Sequence, residues 1–127
     1  MIKTALEPWL SIENADKAVE FYKAAFGATE SYRLEAPDGG IVVKLEIVGG
    51  ALWLSGGNSG SPSEPRAPVG GGSVRLILTV EDPDLFFQQA IAAGAKEVFP
   101  VAEEYGWRLG RIEDPFGLHW EIGHPLK

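Results

Sequence analysis

The chemistry-bearing side chains of this sequence stand at alternate positions of short extended runs. Glu7 and Trp9 are two apart, as are His119 and Glu121, while Arg75 and Thr79 are four apart. Successive side chains of a strand point to opposite faces, so each of these pairs shares one face. Three chemistries are open to such a set. Glu7 and Glu121 offer two carboxylates for acid–base work, and His119 and Glu121 offer two metal ligands with Glu7 as a third. Trp9 and Trp53 offer apolar walls for an organic ligand. Plainer readings stand beside these: Arg75 pairs with one of the carboxylates, and His119 is an ordinary hydrogen-bonded histidine. Without a metal to polarise a carbonyl, two carboxylates and an arginine make no recognisable reaction. The sequence has no Ser/His/Asp arrangement, phosphate loop or Gly-rich dinucleotide fingerprint.

The elements that must position these residues repeat. Leu6 to Ile12 reads as a strand, and Asn14 caps a helix whose apolar positions Ala15, Ala18, Val19, Tyr22, Ala25 and Phe26 share a face, with Gly27 as its stop. Strands follow at Glu30 to Leu34, Ile41 to Ile47 and Ala51 to Ser55, separated by turns at Ala36 to Gly40 and Gly49-Gly50. After a stretch rich in Gly, Ser and Pro, the order restarts with a strand at Val74 to Val80. Asp82 and Pro83 open a second helix that runs to Ala93, and Gly94 stops it. Strands near Val98 to Ala102, Trp107 to Ile112 and Leu118 to Ile122 complete the repeat. Ile12-Glu13-Asn14-Ala15-Asp16 parallels Val80-Glu81-Asp82-Pro83-Asp84, and Gly27-Ala28-Thr29-Glu30 parallels Gly94-Ala95-Lys96-Glu97. The expected fold is α+β, one domain of two βαβββ modules, residues 1–55 and 73–127, joined by a flexible linker at 56–72.

Alternation divides the strands into two faces. Leu10, Ile12, Leu52, Leu54, Leu76, Leu78, Val80, Leu118, Trp120 and Ile122 form the core side, under the helices. Glu7, Trp9, Trp53, Arg75, Thr79, His119 and Glu121 collect on the other, the mixture expected of a ligand-lined concavity, against the plainer reading of a solvent-facing sheet. Trp107, with Arg108 and Arg111, follows Glu103-Glu104-Tyr105-Gly106, a candidate rim where an aromatic ring stacks on a flat ligand or fills an interface.

Composition narrows the function classes. The chain has 127 residues, 45% hydrophobic and 23% charged, a net charge of −7 and no cysteine. Lacking sulfur nucleophiles and thiolate sites, it must use other groups. Its acidity and scattered Lys and Arg argue against nucleic acid, while suiting either plain solubility or a cationic small molecule. With no apolar run of about eighteen residues and no basic-then-apolar start, no membrane partner is expected, and the expected location is cytoplasmic.

With the doubled pattern in hand, the sequence resembles the vicinal oxygen chelate superfamily of glyoxalase I, bleomycin-resistance proteins and extradiol dioxygenases. The resemblance lies in Ala15-Asp16-Lys17-Ala18-Val19-Glu20-Phe21-Tyr22, in Phe26-Gly27-Ala28 and in the closing run from Gly106 to Ile122, which looks most like the PhnB-like and glyoxalase-like branch. It implies a concave sheet with helices outside, and a homodimer. In metal-using members four inward positions carry His, Glu, His or Gln, and Glu. Here these fall on Glu7, Trp53 or, less directly, Ala51, Arg75 and Glu121, and only Glu121 matches. Tryptophan offers no lone pair and arginine brings a competing charge. The expectation is therefore a metal-independent, cofactor-free binding protein for a small organic, even cationic, molecule. Its ligand would meet Glu7, Trp9, Trp53, Arg75, Thr79, Trp107, His119 and Glu121. The alternative is a metal-dependent glyoxalase-like lyase, isomerase or dioxygenase with atypical ligands.

Overall fold

A computed structural model describes residues 4–37, 39–56 and 74–126. The first module contains β1 (Trp9–Ser11), α1 (Ala15–Phe26), β2 (Thr29–Glu35), β3 (Ile41–Ile47) and β4 (Gly50–Gly56). The second contains β5 (Leu76–Thr79), α2 (Pro83–Ala93), β6 (Lys96–Glu104), β7 (Trp107–Glu113) and β8 (His119–Pro125). Each builds one four-stranded sheet, in the orders β1-β4-β3-β2 and β5-β8-β7-β6. The first strand of each module runs parallel to the last, and the remaining pairs are antiparallel. The fold is α+β with two βαβββ modules. They form two compact units, the second taking in residues 24–26 of α1.

Local chemistry explains the boundaries. Every apolar position expected on the inner face of α1 is buried, and Gly27 ends the helix at φ 71°, where a side chain would be strained. Asp82 caps α2, its Oδ1 accepting from the Leu85 N–H at 3.1 Å. Asn14 occupies the equivalent place with its carbonyl alone, accepting from Ala18 N–H at 3.0 Å, and makes no side-chain cap bond. The first strand is shorter than the alternation suggests because Pro8 has no N–H to give. Its carbonyl still accepts from Trp53 N–H at 2.9 Å. The hairpin between β3 and β4 turns one residue earlier than expected, at Val48-Gly49, with Gly50 already paired to Ile47. Gly56 belongs to β4; the rest of the anticipated linker, 57–72, lies outside the described residues.

The strand register follows the alternation in both modules. Leu10, Ile12, Leu52 and Leu54 are buried in the first, and Leu78, Val80, Leu118, Trp120 and Ile122 in the second, while Trp9, Arg75 and Thr79 are exposed. In the second module α2 packs on β6, β7 and β8. The approach is close enough that a Cβ at Gly110 would stand 2.9 Å from the Phe87 ring and from the Val101 side chain. No helix among the described residues is long and apolar enough to cross a membrane.

Candidate functional site

Register brings one row of side chains across the open face of each sheet. In the first module Trp9 pairs with Trp53, Trp53 with Lys44 and Lys44 with Tyr32. A bulge between Glu30 and Tyr32 turns Tyr32 onto this face and leaves Glu30 to meet Lys23 of α1 at 2.9 Å. The indoles of Trp9 and Trp53 stack nearly parallel, 5.8 Å apart and 8° between planes, and Tyr32 tilts against Trp53. Both indole N–H groups are fixed: Trp9 donates to Ser55 Oγ and Trp53 to Glu7 Oε1, each at 2.9 Å. Lys44 Nζ reaches Glu7 at 3.4 Å and lies 5.6 Å from the Trp53 ring centre. The result is an aromatic shelf.

The corresponding row of the second module is Ile77, Glu121, Arg111 and Phe99, and it is hollow. Arg111 Nη2 donates to Glu121 Oε2 at 3.0 Å, and its guanidinium lies 5.3 Å from the Phe99 ring centre. Arg75 Nη1 reaches the same Oε2 at 3.3 Å. Above this row stands a cavity of ≈ 530 Å³ with aromatic and aliphatic walls from Ile77, Phe99, Trp107 and Leu109, and Glu104 and Tyr105 complete its lining at the hairpin end. That hairpin turns at Tyr105-Gly106, where both residues have positive φ, 51° and 83°, the signature of a type I′ turn. Leu126 N–H pins it by donating to the Gly106 carbonyl at 2.7 Å.

The candidate residues from the sequence thus divide. Glu7, Trp9 and Trp53 form the first-module shelf. Trp107 and Glu121 line the second-module cavity, and Arg75 braces Glu121 from outside it. Thr79 lies beside Gly123 at the end of β5 and is not among the lining residues. His119 pairs with Glu113, its Nε2 4.0 Å from the carboxylate, and its buried Nδ1 has no hydrogen-bond partner among the described residues. Of the candidate rim, Glu104, Tyr105 and Trp107 line the cavity, whereas Arg108 turns to the helix side and forks onto Asp84 at 2.9 and 2.7 Å. The sequence names Arg111 only beside the candidate rim, not as a partner of Glu121, and does not single out Phe99. Alternation along β7 places Trp107, Leu109 and Arg111 on one face, and the Asp114 to Gly117 turn sets Arg111 opposite Glu121, so that signal was present. The β6 bulges that aim Phe99 had no comparable signal.

The residues at the metal-ligand positions do not fit an ion. Glu7 is held by Lys44 and Trp53, and Glu121 by two guanidiniums, so an ion would have to displace ion pairs and share its surroundings with positive charge. Among the described residues no three His, Asp or Glu side chains stand close enough to share one.

A model of the Glyoxalase/Bleomycin resistance protein/Dioxygenase superfamily matches residues 6–122, and the chain belongs to that superfamily. It is 37% identical over 135 residues to the uncharacterised protein Mb0911c of Mycobacterium bovis, spanning 99% of this chain and 86% of that one. Among solved structures, TioX of Micromonospora sp. ML1 is 26% identical with a TM-score of 0.72, covering 97% of this chain and all (100%) of its own. The Arabidopsis thaliana product of At5g48480 is 27% identical with a TM-score of 0.71, over the same 97% and 100%.

Proposed function

We propose that the chain is a metal-independent binding protein for a small organic molecule, held in the second-module cavity. The observation that carries this reading is a ligand-sized, aromatic-walled hollow whose carboxylate is already neutralised by two arginines. A site built for Lewis-acid chemistry would keep its carboxylates available to the ion. The homodimer stays part of the proposal. The exposed Trp9, Tyr32 and Leu34 face is the surface a second copy would cover, and sedimentation at micromolar concentration reads it directly.

The test is metal analysis of the purified chain together with thermal shifts in nickel, zinc, manganese or iron(II), set beside tryptophan fluorescence during titration with aromatic organic compounds. The expected outcome is no stoichiometric metal, no stabilisation by the ions and a fluorescence response to an organic ligand. Metal at about one ion per chain, lost in Glu121→Ala, would move the protein to the alternative, a metal-dependent lyase, isomerase or dioxygenase.

A further inference from the structure

We propose that the second-module cavity selects a flat, uncharged aromatic molecule with an amide-type edge, a carbonyl beside an N–H, a refinement that rests on the small-molecule reading above. The walls account for the flat aromatic body. Phe99, Tyr105 and Trp107 present rings, and Ile77 and Leu109 add aliphatic surface. Stacking on rings favours a planar partner.

The polar end accounts for the rest. Both guanidiniums converge on one oxygen of Glu121, Oε2. Within the described residues Glu121 Oε1 and Arg111 Nη1 make no hydrogen bond, although both side chains line the cavity. One acceptor on Glu121 and the Nη1 donor of Arg111 are therefore left, beside the buried Arg111 Nε that also has no hydrogen-bond partner among the described residues, on groups that already neutralise each other. Arg75 and Arg111 together balance Glu121 and the rim carboxylate of Glu104, so the lining and its brace carry no excess charge of either sign. A cationic ligand would reach Glu121 only beside two guanidiniums, and an anionic ligand would approach Arg111 only beside a carboxylate. Either would lose its hydration without a uniform field to replace it. A neutral amide edge loses less, since its carbonyl accepts from Arg111 Nη1 while its N–H donates to Glu121 Oε1, both as charge-assisted hydrogen bonds. A ligand with this edge also leaves the Arg75–Glu121–Arg111 bridge intact.

The experiment is calorimetric titration of the full chain with three probes on one ring system: 2-naphthamide, 2-naphthoate and 2-naphthylmethylammonium. The amide is expected to bind about tenfold more tightly than either charged probe. In Glu121→Gln the two guanidiniums lose their counter-charge, and the preference is expected to pass to 2-naphthoate by a similar factor. Should that variant fail to fold, Arg111→Met is expected to shift the preference toward the ammonium. A charged probe winning in the unmodified protein overturns the amide assignment and leaves the binding reading standing. A folded chain that takes up none of the three at about 1 mM also overturns it. Only bound metal in the test of the preceding section overturns both.

Discussion

The two open sheet faces are built on the same register and end as different surfaces. Trp9, Trp53, Lys44 and Tyr32 cross the first sheet where Ile77, Glu121, Arg111 and Phe99 cross the second. Both rows end on a ring and place a cation beside it. They diverge on the first and last strands, a stacked pair of indoles in one module and Ile77 beside a carboxylate in the other. The charge that steadies the last-strand position diverges with it: Glu7 comes from outside the row to hold Trp53 and Lys44, and Arg75 comes from outside to hold Glu121. An indole stacked on a second indole fills its own space, while a carboxylate drawn down by two guanidiniums leaves space above it. The paired positions on the first and last strands therefore decide between a shelf and a cavity. Family membership sets the scaffold, and the function is to be argued from those positions.

The closing hairpins sharpen the comparison and carry the largest expected effect. Between β7 and β8 the buried Asp114 carboxylate accepts from Phe116 and Leu118 N–H at 2.9 and 3.0 Å and from Trp120 Nε1 at 2.9 Å. Asp114→Ala leaves a buried indole N–H without its acceptor, and a loss of about 3 kcal/mol is expected in urea unfolding. A loss below about 1 kcal/mol would show that water replaces the carboxylate. Among the described residues the hairpin between β3 and β4 has no such side-chain anchor. It turns through Val48 at φ 57°, a β-branched residue in the left-handed region and half exposed. Val48→Asn is expected to raise stability by about 1 kcal/mol in the same assay, with no change in the far-ultraviolet spectrum. An unchanged or lower value would mean that the Val48 side chain holds something its conformation costs.

What could be read in the sequence, and what could not, follows the same line. Side-chain alternation in β4, β5 and β8 and the helix stops at Gly27 and Gly94 rest on period and on backbone freedom, both local properties, and the structure follows them. The face taken by Tyr32 or Phe99 depends on bulges in β2 and β6, which insert a residue without any mark in the sequence. The turn at Val48 ran against residue preference, which favours the adjacent glycines. Parity alone gathers the candidate site residues onto one face. Parity does not say how far along a strand each one lies, so Thr79 and His119 stand outside the lining while Arg111, opposite Glu121, stands inside it.

The smallest expected effect concerns how each helix is tied to its sheet. In the first module Glu30 sits between Lys23 of α1 at 2.9 Å and Arg33 of its own strand at 3.0 Å, and Arg33 also approaches Asp16 at 3.7 Å. Hydrogen bonds from Arg33 first and Lys23 second hold the Glu30 carboxyl at about 2, against an ordinary value of 4.5. In the second module the carboxyl of Asp84 on α2 is lowered by its fork to Arg108, with the Asp84 side chain half exposed. Because the folded value of Glu30 is depressed, its contribution is fully present above the ordinary carboxylate range. It is lost as the pH falls from about 4.5 to about 2. The side chain is 24% exposed, so screening reduces that contribution to about 1 kcal/mol. Glu30→Gln is therefore expected to cost about 1 kcal/mol at neutral pH and nothing near pH 2, so that the two unfolding curves converge in acid. Asp84→Asn, by contrast, is expected to show a difference that salt removes at neutral pH. A Glu30→Gln difference that persists unchanged at pH 2 would assign the effect to packing at the β2 bulge and not to charge.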